Sequence, residues 1–168
     1  MTEVGMRLVG DMRFPGRPEV VSDVRIYAVT WLVGELPEAA DDANLLDNVR
    51  LLVTEIATNA IRHTISGRWR NGAFRVRMWR GSGGRIRVEV RDQGWWSGPR
   101  LRSDDANETG GRGLQILAAV ATRWGVRRHL FGRTVWFELD PIAASMACLD
   151  APGQIVDQAS GRVIRSHG

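Results

Sequence analysis

A chain of 168 residues, 43% of them hydrophobic, is expected to form one domain that buries about two-thirds of the surface its unfolded form exposes. The composition is globular, and no apolar run is long enough to span a bilayer. The 23 basic residues are all arginine and outnumber 19 acidic ones, and the single cysteine, Cys148, excludes an internal disulfide or a cysteine-based zinc site. Met1-Thr2-Glu3-Val4 lacks a basic end followed by an apolar core, so no secretory leader is expected and a reducing, cytoplasmic compartment fits. The net charge of +4 raises a nucleic-acid hypothesis that depends on where the arginines lie.

In chain order, weak alternation over Met6–Phe14 predicts a short or edge strand. Pro18 suits the first turn of a helix whose apolar residues (Val20, Val24, Tyr27 or Ala28, Trp31, Leu32) recur up to Leu36, and Pro37 ends it. Asp41 is a good cap for a longer helix running to about Ile65. In that helix Leu45, Val49, Leu52, Val53, Ile56 and Ala60 fill one arc of roughly 100°. Glu55 and Asn59, one turn apart, lie together at the edge of the arc. A partly solvated acid and amide there suit a proton acceptor and a ligand for a hard cation. Alone, the pair is more readily a polar rim beside a core helix, since polar residues one turn apart are common on helices.

Phe74, Val76 and Met78 alternate with Arg75, Arg77 and Trp79, and Ile86, Val88 and Val90 alternate with Arg85, Arg87, Glu89 and Arg91. Gly81-Ser82-Gly83-Gly84 makes them a hairpin whose arginine side should face outward, solvated for most of these residues. Arginines opposite one another repel, so that side needs water or an acidic partner. Asp92-Gln93-Gly94 follows. An ionised Asp92 could accept adenine's amino group, and Gly94 would let a flat ring approach the backbone; alone, Asp-x-Gly is an ordinary turn. Residues 95–109 show no period, and a loop that long is often a lid or binding loop. Gly110-Gly111-Arg112-Gly113-Leu114 opens a helix with a row of amide donors suited to phosphates, or is a plain loop-to-helix junction. Strands over Gly125–His129 and Thr134–Leu139 come next. Beyond Pro141 the pattern fades, and Gly161–Gly168 is polar and expected to fray.

The order of the three motifs resembles the GHKL ATP-binding fold shared by gyrase, the heat-shock chaperone of ninety kilodaltons, MutL and sensor histidine kinases. Within it the run Glu55–Thr64, the Gly-Arg-Gly-Leu at 111–114 and the ending Trp124–Val126 to Thr134–Leu139 look most like the stand-alone anti-sigma-factor serine kinases. The likeness covers roughly Arg13 to Leu139. It implies an α+β two-layer sandwich, with a largely antiparallel mixed sheet and helices on one face. A nucleotide-binding domain would span 1–140 and an extension 141–168. By position, Asn59 matches the Mg²⁺ ligand, Glu55 the general base, Asp92 the adenine-reading carboxylate and Thr134 the hydroxyl supporting it through water. Gly111 and Gly113 match the phosphate-contacting glycines, and Arg112 would reach a phosphate or point into water. His63, Gly94 and Leu114 complete the nucleotide set. Trp96, next to Trp95, replaces a family glycine, and two indoles there wall the adenine pocket or crowd it.

The resemblance thus implies an ATP- and Mg²⁺-dependent serine/threonine kinase that restrains a sigma factor and phosphorylates its antagonist protein. It implies no direct nucleic-acid or membrane partner and leaves a homodimer open. The rival reading is a nucleotide-gated binding module without kinase activity.

Overall fold

Alternation of apolar and charged residues lays down the strands β1 (Arg7–Pro15), β2 (Ala73–Arg80), β3 (Ile86–Arg91), β4 (Arg123–His129) and β5 (Gly132–Leu139). They pair antiparallel in the order β1-β2-β3-β5-β4. The structure is a computed structural model that describes residues 5–62, 71–93, 111–130, 132–141, 154–157 and 162–165, the last two stretches by backbone alone. The tail, where no pattern is visible in sequence, adds β6 (Gln154–Asp157) and β7 (Arg162–Arg165) beyond β4. Strand β6 runs parallel to β4, so the sheet is mixed.

Three helices cover one face. Pro18 opens a 3₁₀ turn, Pro18–Val20, that leads into α1 (Val21–Glu35). Pro37 ends it as expected, with the Leu36 amide still bonded to the Leu32 carbonyl at 2.8 Å. Helix α2 (Ala43–Arg62) is capped by Asp42, not by the predicted Asp41. Asp42 Oδ1 accepts the Leu45 amide at 2.9 Å, because Asp41 is taken up in the preceding 3₁₀ turn, Pro37–Asp41. Helix α3 is Gly111–Val120.

The stripe of α2 (Leu45, Val49, Leu52, Val53, Ile56 and Ala60) is buried against Val76, Val88, Val90 and Phe137 of the sheet, as its arc demands. Each fully buried Leu, Val or Phe contributes about 1.5–3 kcal/mol, whereas an exposed ion pair contributes about 0–1 kcal/mol. The layer contact therefore holds the fold, and it fixes the height of Glu55 and Asn59 over the sheet.

The other face corrects the expectation of a mostly solvated arginine surface. Arg75 stands opposite Arg91 and remains half exposed, but Arg77 stands opposite Glu89. Arg87 is only 2% exposed. Its guanidinium lies 3.9 Å from the Trp136 ring centroid and bonds Glu89 (3.0 Å) and Glu138 (3.1 Å). Arg127 also pairs with Glu89, and Asp11 holds Arg75 and Arg77. Carboxylates of the same sheet thus supply the acidic partner. Burying a charge is tolerable only when it is paired, and here pairing and a cation–π contact combine.

Candidate active site

Glu55 and Asn59 sit half-buried on α2, flanked by the fully buried Ile56 and Ala60. The start of α3 descends onto them. A Cβ on Gly113 would stand 2.9 Å from Asn59 Nδ2 and 3.1 Å from Glu55 Oε2. Only a residue without a side chain lets this turn approach the acid and the amide so closely. Gly111 opens the helix, Arg112 follows, and Leu114 is half-buried against the core. The first-turn amides of a helix have no intrahelical partner, so donors and the positive dipole end gather where Glu55 and Asn59 lie.

Asp92 closes the cleft from the sheet. It follows β3 and is 2% exposed, and its own amide bonds the Arg133 carbonyl at 3.0 Å. Burial pushes its carboxyl above the ordinary carboxylate range, and the charge of Arg133 pulls partly back. Arg133 donates to Asp92 twice, from its backbone amide (3.1 Å) and from Nε (2.9 Å). Its Nη2 reaches the Asn59 carbonyl at 3.4 Å. One side chain therefore ties the base end of the cleft to the helix that carries the cation-binding candidate.

Thr134 is not brought to Asp92. It stands opposite Arg91 and projects with Trp136 and Glu138 on the face away from the helices. The residue is 3% exposed, and its hydroxyl meets His129 Nε2 at 2.9 Å. Arg133, one residue earlier, shares the inward phase of Val135 and Phe137 and takes the place expected for the threonine. The alternation of β5 carried this signal: Val135, Phe137 and Leu139 are the apolar phase, so position 133 and not 134 belongs to the cleft side.

His129, around which the sequence shows no motif, is the partner of the Thr134 hydroxyl. Burial, then the charges of Arg91 and Arg127, hold its imidazole below the ordinary value of 6.5, with Glu89 opposing. A base with a lowered folded pKa stabilises the fold above the unfolded value and loses that contribution as pH falls through the folded one. In an NMR titration assigned with His129→Gln, the His129 midpoint should fall below 6.5. Unfolding stability should decline more steeply on acidification in the original protein than in the variant. A midpoint at or above 6.5 would contradict this.

His63, Gly94 and residues 95–109 lie outside the described residues. Among the described residues no group of three His, Cys, Asp or Glu side chains could hold a metal ion, and no helix is long and apolar enough to cross a membrane. An open groove between α1 and α2, lined by Ile26, Val29, Leu51 and Thr54 among others, includes none of the site residues.

Residues 14–139 match the histidine kinase-like ATPase domain. The chain belongs to that family. Its α+β architecture agrees with the resemblance read from the motifs. As a histidine kinase-like ATPase domain it is an ATP-binding unit. The fold is similar to the crystal structure of the RsbU and RsbW domains of Rv1364c from Mycobacterium tuberculosis, with a TM-score of 0.52 and 15% identity. That likeness covers 77% of this chain and 32% of the other, so this chain spans about a third of the length of that structure. No curated protein matches the chain.

Proposed function

We propose that this histidine kinase-like ATPase domain is an ATP- and Mg²⁺-dependent protein serine/threonine kinase of the anti-sigma type. It would act in the cytoplasm on a serine of an anti-sigma-factor antagonist, and its other partner would be a sigma factor. Residues 1–140 form the nucleotide-binding kinase unit and 141–168 an extension of it. The observation that carries the reading is the approach of Gly113 to both Glu55 and Asn59. A pure nucleotide-binding rim would need the amide but has no use for a carboxylate held at the same spot. The fold likeness to a structure containing an RsbW domain supports the same branch.

The donor set fits the cofactors at the phosphate end. Asn59 offers an amide oxygen, a hard ligand of the kind Mg²⁺ accepts beside phosphate oxygens and water. The amides around Gly111–Gly113 hold the phosphates, and Asp92 accepts the adenine amino group. Bound Mg²⁺ supplies charge screening on the triphosphate. Glu55 takes the proton of the substrate hydroxyl as its oxygen forms the bond to the γ-phosphorus and the bond to the β-phosphate oxygen breaks, releasing ADP.

Incubation with γ-labelled ATP and candidate antagonist proteins should place label on an antagonist serine. Asn59→Ala, which removes the cation ligand, should weaken Mg²⁺-nucleotide binding by at least tenfold, about the loss of one hydrogen bond to a charged group, and abolish transfer with it. Unchanged calorimetric affinity in that variant would remove Asn59 from the site. The second reading is a nucleotide-gated binding module that uses the same pocket without transfer. ATP binding without transfer to any antagonist would decide for it.

A further inference from the structure

The carboxylate assigned above to the base already accepts two bonds from Arg133, one on each oxygen. Asp92 is buried at the end of β3, and Arg133 supplies it with a charge-assisted bond from Nε and a second bond from the main chain. The Arg133 amide is held in place by the main chain, since the Asp92 amide bonds the Arg133 carbonyl at 3.0 Å, and it can keep its bond to Asp92 Oδ1 while the side chain moves. The Nε bond is different. It comes from a long side chain that is 35% exposed, so it can swing into water without disturbing the core. Gly132, at φ 134°, is the turn residue that sets Arg133 at the start of β5 with its side chain inward.

An inward arginine in the phase of Val135 and Phe137 is out of place as a surface charge. It is in place as a counter-ion, because a buried carboxylate without a partner is costly and Arg133 offsets that cost while the cleft holds no base. The same Nη2 bridges to the Asn59 carbonyl and so lies across the cleft between α2 and the sheet.

We infer that Arg133 is a self-ligand of the base pocket, and that a nucleotide seats its adenine only by displacing the Arg133 side chain from Asp92. The inference rests on the reading of Asp92 as the adenine acceptor. Its consequence is a lowered apparent affinity, because only the fraction of molecules with Arg133 swung out is competent to bind the base. It also sharpens selectivity. A base presenting an amino group replaces the donor that Asp92 loses, whereas one presenting a carbonyl sets two acceptors against each other.

The test uses two probes on the full chain, adenosine and inorganic triphosphate with Mg²⁺, titrated calorimetrically into the original protein, Arg133→Ala and Arg133→Met. Adenosine should bind roughly tenfold tighter to both variants, as expected when a hydrogen bond to a charged group no longer has to be broken. Inorganic triphosphate should bind no tighter, since Arg133 does not block the phosphate end. Adding Asp92→Asn to Arg133→Met should erase the gain. Unchanged or weaker adenosine binding would overturn the inference, and so would equal tightening of both probes, which marks a loosened pocket. If Arg133→Ala melts early because Asp92 loses its counter-ion, Arg133→Met, which fills the same space without a donor, decides. Failure of adenosine and ATP to bind any of these proteins would instead sink the nucleotide reading, and the inference with it.

Discussion

Glu55→Gln should leave nucleotide affinity near its original value and lower phosphotransfer by roughly 10²–10⁴-fold, the usual contribution of a positioned general base. The exchange keeps the size of the side chain and removes only its ability to take a proton. Glu55 is half-buried at the rim of α2, and the residues that hold the helix to the sheet are Ile56, Val53 and Leu52, so stability should change little. Single-turnover transfer to the antagonist, alongside calorimetry with ATP and Mg²⁺, measures the two effects separately. Transfer at the original rate would make Glu55 an ordinary rim residue and leave the binding module as the better account.

Gly113→Ala should do the opposite of what helix propensity suggests for function. In an exposed helix the change from glycine to alanine stabilises by about 1 kcal/mol, and Gly113 lies in the first turn of α3 with no left-handed backbone to forbid it. The added methyl would press on Asn59 Nδ2 at 2.9 Å and Glu55 Oε2 at 3.1 Å, both far ends of flexible side chains that can yield. The fold should therefore stay as stable or become more so. ATP·Mg²⁺ affinity and transfer should both drop by tenfold or more, because a misplacement of about 1 Å in a reacting group can cost about a hundredfold. Thermal melting and calorimetry on the same sample separate these outcomes. Retained affinity with retained transfer would show that the contact of α3 with Glu55 and Asn59 is packing alone.

Much of this was legible without coordinates, because period and spacing are local properties. The helical arc of α2 placed Glu55 and Asn59 at its rim before any partner was known. The alternation of β2, β3 and β5 likewise marked which residues face the core. The motif order carried the family, since each motif sits at a junction that a helix or strand end defines. The cap moved from Asp41 to Asp42 because the chain tightens into a 3₁₀ turn first, a choice that propensity does not resolve.

What the sequence by itself determined is the set of elements, the apolar faces and the three motifs, each a matter of residues close in the chain. Tertiary structure alone decided the partners across strands. The acids that neutralise Arg87 come from Glu89 beside it and from Glu138 on β5, so a charge run read as a wet surface became a buried network. The same cross-strand register sent Thr134 to the far face beside His129 and set Arg133 against Asp92. Register joins residues some 40 positions apart through main-chain bonds, and a shift of one residue exchanges the two faces of a strand. A motif carried over by residue type can miss by one, and in a strand one residue is the difference between the cleft and the opposite side of the sheet.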